Sequence, residues 1–232
     1  MISAIRKFYK KLHIIQNIYI KNNFFFKRKT YAMEGEDLEI VKILKNIENG
    51  FYVDAGGFHP LDRNNTYLLY KKKWRGINID LSEFSIDLFN FIRPEDININ
   101  VAVTNKDGEV NFFYMKKLSQ LSTIKKDVAI KGMHGIIKEK KIKSEKLTTI
   151  INNTKFKNKK IDFLNIDLEG ADFDALKSLD FEIYRPKLIC IEIHDKDIEN
   201  SEINLFLQKL SYTKKWSATF SHLYTDNLIN FN

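Results

Sequence analysis

Short apolar runs, each too brief for a helix, alternate along the chain with stretches whose apolar residues recur every three or four positions. The first run, Phe51-Tyr-Val-Asp-Ala55, breaks at Gly56-Gly57, and Pro60 then suits the first turn of a helix, predicted over 64–72. A second strand, 76–80, ends in Asp80, and Ser82 is placed to cap a helix running to Phe91. Residues 97–103 lack alternation, as expected of a third strand covered on both faces. The turn Asn105-Lys-Asp-Gly108 leads into an added antiparallel strand, 109–114. Strands four and five are predicted over 161–168 and 188–193, each followed by a helix, at 171–179 and 202–210. Two last strands, near 212–218 and 222–226, form an antiparallel pair. Ahead of the first strand, 38–47 has helical period, with Glu36 and Asp37 where acids offset the helix dipole. The expected fold is α/β and doubly wound: a mostly parallel sheet with a terminal antiparallel hairpin.

Charge changes the picture at two places. The chain carries a net charge of +8, yet residues 1–30 hold Arg6, Lys7, Lys10, Lys11, Lys21, Lys27, Arg28 and Lys29 and no acid. Removing these eight from the 38 basic residues leaves 30, equal to the 30 acids, so the cationic character belongs to an arm, 1–30, ahead of a domain, 31–232. In the arm Ile5, Phe8, Leu12, Ile15 and Tyr19 recur at spacings of three and four. That pattern predicts an amphipathic helix, either lying on an anionic membrane surface or packing on its own domain or a second copy of the chain. Neither a spanning segment nor a cleavable signal is expected there. The second place is 116–160, where lysines dominate and Gly132-Met-His-Gly135 interrupts any helix. It reads as a solvated face, or as a lid over the strand ends. The single cysteine, Cys190, sits in an apolar run and predicts a buried strand residue in a reducing, cytosolic compartment.

Ligands of doubly wound sheets bind beyond the carboxyl ends of the strands, here Asp54, Asp80, Val103, Asp167 with Glu169, and Glu192 with His194. Gly56 and Gly57 are expected to admit a ligand where a Cβ would collide, and Asp80 to accept from both hydroxyls of a ribose. Phe58, His59 and Pro60 stand where a pyrophosphate would need close backbone approach, and no Walker pattern is present. The acids would repel phosphate and attract a sulfonium, so S-adenosylmethionine is the cofactor expected.

In consistent order from about 31 to 195, the chain carries Glu34-Gly-Glu-Asp37, Tyr52-Val-Asp-Ala-Gly-Gly-Phe-His-Pro60, Asn65-Thr-Tyr67 and Trp74-Arg-Gly-Ile-Asn-Ile-Asp80. Asn100-Val-Ala-Val103, the serines at 119 and 122, Lys146-Leu-Thr-Thr149 and Asp162-Phe-Leu-Asn-Ile-Asp-Leu-Glu-Gly170 follow. This set resembles the FkbM-type S-adenosylmethionine-dependent methyltransferases, which have a class I, Rossmann-like fold. The resemblance implies a donor held by Asp54, Gly56, Gly57 and Asp80, with Glu36, Asn65, Thr66, Leu81, Ala102 and Asp167 completing the site. Gly57 stands where many members have Ala, Asp80 where many have Glu, and Asn165 where Lys is common.

For O-methylation a positioned base helps, and His59 and His194 are the histidines at predicted strand ends; a structural role is the alternative for each. Asp167 and Glu169 would orient the base or hold the acceptor. No metal is expected, although Asp167, Glu169 and Glu192 are the acids that would hold a hard divalent ion. The acceptor implied is a sugar hydroxyl of a glycan, lipid-linked saccharide or similar small molecule. The alternative is an RNA-binding or RNA-modifying methyltransferase using the basic arm and lid, but the lid offers few aromatic rings for stacking bases. A homo-oligomer and a cytoplasmic chain peripheral to the membrane complete the expectation.

Overall fold

The computed structural model describes residues 2–228. In chain order its helices are α1 (Ile2–Ile15, continued by a wider π turn, Gln16–Lys21), α2 (Glu36–Ile43), α3 (Tyr67–Lys71), α4 (Glu83–Ile92), α5 (Lys126–Gly132), α6 (Leu147–Asn152), α7 (Asp172–Lys177) and α8 (Glu202–Lys209). Its strands are β1 (Phe51–Ala55), β2 (Arg75–Asp80), β3 (Ile97–Asn100), β4 (Ala102–Val103), β5 (Gly108–Tyr114), β6 (Lys138–Glu145), β7 (Phe163–Ile166), β8 (Leu188–Glu192), β9 (Tyr212–Ser217) and β10 (Ser221–Asp226).

Seven strands form one sheet in the order β3-β2-β1-β7-β8-β10-β9. The first four neighbouring pairs are parallel, and β10 runs antiparallel to both β8 and β9, giving the predicted terminal hairpin. Because β1 and β7 are buried at every position, their runs are apolar on both faces, and period two decides where each side chain goes. Phe51, Val53, Ala55, Leu164 and Ile166 pack with Leu147, Ile150, Ala175 and Leu207 of α6, α7 and α8. On the opposite face Tyr52 and Phe163 meet Ile40, Leu44, Leu69 and Trp74. Each fully buried aliphatic or aromatic side chain of this kind stabilises the fold by about 1.5–3 kcal/mol.

Three expectations are corrected. The third strand does not run through to Val103: Ile97–Asn100 pairs with β2, whereas Ala102–Val103 leaves the sheet to pair with β6. The strand expected after it joins neither edge of the main sheet but pairs antiparallel with β6 in a separate sheet, β4-β6-β5. The lysine-rich stretch is accordingly not loose throughout. Ile142 and Ser144 of β6 turn inward while Lys141 and Lys143 face out, and Leu147, Ile150 and Ile151 of α6 lie in the main core. The arm packs on its own domain through Ile14 and Ile18, which meet Leu61 and Leu88. Of the predicted apolar face, Ile5, Phe8, Leu12 and Ile15 are exposed, whereas Tyr19 is half-buried beside Ile14 and Ile18.

Candidate functional site

The sheet order reverses between β1 and β7, so their carboxyl ends open the crevice where such sheets bind ligands. Gly56 sits there with φ +90°, and a Cβ on it would fall 1.7 Å from the Asp167 carbonyl oxygen. A Cβ on Gly57 would fall 2.8 Å from the Phe89 ring. The protein's own packing thus leaves no room for a Cβ at either glycine, and Gly56 also lines the cleft above. Gly56 N–H and Gly57 N–H both donate to Ile79 O (2.9 and 3.2 Å), which ties the turn to β2.

Above this turn lies an open cleft of about 840 Å³, a volume that includes solvent at its mouth. Glu34, Glu36, Asp80, Asp167, Glu169 and Glu192 line it, and Arg63 is the one basic residue among them. Asp80 is held from both sides: Oδ2 accepts from Phe58 N–H (2.8 Å) and Oδ1 from Ser82 N–H (2.7 Å). Burial pushes its carboxyl up to about 7. Beside it Ile79, Leu81, Val101, Val103, Ile124 and Leu168 form an apolar slot that shares Asp80, Leu81 and Leu168 with the cleft. Ala102, expected here, is turned the other way against Phe112 and Ile142, because neighbouring residues of an extended chain face opposite sides. Glu36 and Asn65 line the cleft, and Asn65 Nδ2 donates to Asn165 Oδ1 (2.9 Å). Glu34 closes one side by accepting from Thr219 N–H (2.8 Å) and Thr219 Oγ1 (2.6 Å). Phe58 and Glu169, both lining the cleft, have left-handed backbones (φ +50° and +51°), strain of a kind that gathers at ligand sites.

Asp54, Thr66 and Gly57 do not line the cleft. Asp54 is fully buried, its Oδ2 accepting from Thr66 Oγ1 (2.7 Å) and its Oδ1 from Asn165 Nδ2 (2.9 Å). The residue that draws them inward is Arg93, also fully buried, which sequence reasoning missed. Its Nη1 donates to Thr66 Oγ1 (2.7 Å), and its Nη2 to Pro60 O (2.8 Å) and Asn64 Oδ1 (2.6 Å), fastening the loop between β1 and α3. The signal was an arginine at the end of an otherwise apolar helix, Phe89-Asn-Phe-Ile-Arg93.

His59 is buried too. Its Nδ1 accepts from Leu61 N–H (3.0 Å), so Nε2 carries the proton toward Asn17 Oδ1 (2.7 Å), the tautomer being inferred from these partners. Burial, Arg93 and Arg28 push it down to about 3. It is a neutral positioning group for the arm and lies outside the cleft, which removes it as a base.

The ends of β7 and β8 bring four acids together. Asp172 accepts from Leu168 N–H (2.7 Å) and Gly170 N–H (3.0 Å) and so shapes the turn that carries Glu169. Burial and the Glu192 carboxylate push Glu169 up to about 7, and the same causes push Asp172 to about 7 and Asp167 well above its usual range. His194 Nε2 lies 3.0 Å from Glu192 Oε2, which holds the imidazole protonated up to about 9. At neutral pH His194 is thus a cation beside Glu169, not the free base expected, and it stands at the edge of the cleft rather than in its lining. Glu169, Glu192 and His194 can place one donor atom each within 4.8 Å of one another, a spacing that suits a divalent ion. Asp167 is not in that set. One buried oxygen lining the cleft, Ser122 Oγ, has no hydrogen-bond partner among the described residues, whereas Glu192 Oε2 is paired with His194. Orphaned buried atoms of this kind call for a ligand.

A doubly wound sheet with an antiparallel last hairpin, and a carboxylate at the end of its second strand beside an apolar slot, has the form of a Rossmann-like methyltransferase fold. The methyltransferase FkbM domain family matches residues 50–214, well over half of the chain, and the chain belongs to that family. No curated protein matches it.

Proposed function

We propose that the chain transfers a methyl group from S-adenosylmethionine to a hydroxyl of a sugar, carried by a glycan, a lipid-linked saccharide or a similar small molecule. The observation that carries this reading is one cleft that joins the Asp80 carboxylate, an apolar slot, a cluster of acids and an unpaired serine hydroxyl. Asp80 suits the two hydroxyls of a ribose, and the slot of Ile79, Leu81, Val101, Val103 and Leu168 suits an adenine ring. Six carboxylates against one guanidinium favour a ligand with a sulfonium and an ammonium, and Arg63 offers a partner for its carboxylate. Bound there, S-adenosylmethionine supplies an electrophilic methyl carbon on a positively charged sulfur.

Glu169 is the base in this reading. Its carboxyl, raised to about 7, is poised near the operating pH and lines the cleft. It would take the proton of the acceptor hydroxyl as that oxygen bonds to the methyl carbon and the carbon–sulfur bond breaks, its electron pair staying on sulfur. His194, charged by its pairing with Glu192, eases the ionisation of Glu169. The Phe220 ring and the hydroxyls of Ser119, Ser122 and Ser221 at the same cleft match the apolar faces and polar edges of a saccharide.

The test has two arms. Calorimetry with S-adenosylhomocysteine measures the cofactor site, and transfer of a labelled methyl group to candidate saccharides measures turnover. Glu169→Gln should leave cofactor affinity intact and lower kcat by about 100-fold or more, the usual contribution of a positioned base. Unchanged kcat in that variant would remove Glu169 as the base. Label found in RNA instead of saccharide would overturn the acceptor.

A further inference from the structure

The arm shows two opposite faces. Ile14 and Ile18 turn into the domain, and Lys10 Nζ pairs with Asp87 Oδ2 at 2.7 Å on the same side. Away from it Ile5, Phe8, Leu12 and Ile15, one helical stripe, remain 47%, 59%, 43% and 44% exposed. Farther along the arm Ile20, Phe25 and Phe26 are exposed by 69%, 78% and 71%. Scattered apolar residues on a surface need no account, but a contiguous row of rings and branched chains does.

Charge selects the occupant. Arg6, Lys7, Lys11, Lys21, Lys27 and Lys29 are exposed among these residues, and no acid occurs in the first 30 positions. A second copy of the chain on this face would set cations against cations. An anionic bilayer is complementary in both respects: the rings enter the boundary of the acyl chains, and the ammonium groups reach the headgroup phosphates. No helix among the described residues is long and apolar enough to cross a membrane, so such an arm lies on the surface.

We propose that residues 5–26 form a docking surface for an anionic phospholipid membrane. The docked arm is bonded to the cofactor turn. Asn17 Oδ1 accepts from His59 Nε2 at 2.7 Å, two residues beyond Gly57. Lipid contact and the cleft therefore share one rigid connection. The inference is independent of the acceptor and of the methyl donor.

The full chain should sediment with vesicles of phosphatidylcholine and phosphatidylglycerol and not with phosphatidylcholine alone. Partitioning should weaken about fivefold for each exposed lysine replaced and fall further as salt is raised. The paired variants Phe8→Ser/Leu12→Ser and Phe25→Ser/Phe26→Ser should each lose more than about tenfold in partitioning. Their melting temperatures and cofactor affinities, measured without vesicles, should match the parent chain. Failure of the parent chain to bind anionic vesicles, or binding undiminished in both variants, would overturn the proposal. So would a parent dimer, seen by analytical ultracentrifugation, that the same substitutions dissolve, since the face would then belong to a second copy.

Discussion

Replacing Arg93 with methionine removes a buried guanidinium while keeping an unbranched apolar stem of similar reach. In the native chain Arg93 reaches Asp54 through one hydroxyl: Nη1 donates to Thr66 Oγ1, which donates to Asp54 Oδ2, both at 2.7 Å. Methionine leaves Asp54 in the core without its positive neighbour, takes the Arg93 donor from Pro60 O, and leaves Asn64 Oδ1 to accept from Thr66 alone. Breaking a buried pair on one side costs about 3–5 kcal/mol, a large share of the roughly 5–15 kcal/mol that holds a domain folded. Burial already raises the Asp54 carboxyl and Arg93 pulls it back, so the variant should raise it further. Urea unfolding followed by the fluorescence of Trp74 and Trp216 measures the loss. The double variant Arg93→Met/Asp54→Asn, which removes both charges, should recover about 1–3 kcal/mol of it. If the single variant unfolds within about 1 kcal/mol of the parent chain, or the double variant is no more stable than the single, the buried network is not what fastens the loop.

Other outcomes follow from the same geometry. Gly56→Ala should cost more than about 3 kcal/mol, from its left-handed backbone and the overlap with the Asp167 carbonyl, whereas Gly132→Ala, with no atom within 4 Å of the new Cβ, should be neutral or slightly stabilising in chemical denaturation. Without ligand, the melting temperature should fall as pH is raised from 5 to 9. Asp80, Glu169 and Asp172, raised to about 7, bind more protons folded than unfolded between about pH 4 and 7, and His194, raised to about 9, does so between about 6.5 and 9, so stability is lost upward through both windows. A melting temperature that rises over that range would contradict these shifts. S-adenosylhomocysteine affinity should rise between pH 6 and 8 as Asp80 ionises, and Asp80→Asn should flatten that profile in calorimetry.

The parallel core was readable because strands buried on both faces leave apolar runs between helical stretches, and the carboxylates ending them mark the rim: Asp80, Asp167 and Glu192 all reach the cleft. Facing was less readable. Asp54 ends a strand as Asp80 does, yet a buried arginine thirty-nine positions later in the chain draws it inward. Val101 and Ala102 are neighbours, and only the break between β3 and β4 decides which one meets the slot. The second sheet was hidden because β6 carries its alternation in Ile142 and Ser144 alone, among lysines. His59 follows a glycine turn and resembles a rim residue, but the arm, whose inward face rests on Ile14 and Ile18 rather than the predicted stripe, covers it.

The contact between Glu34 and Thr219 joins residues 185 positions apart at the mouth of the cleft. During synthesis the strand ends that hold the acids emerge long before the hairpin turn that completes the wall. A growing chain therefore lacks a finished receptacle until Thr219 has been made, and ligand capture reports on a late step in assembling this cleft rather than the first.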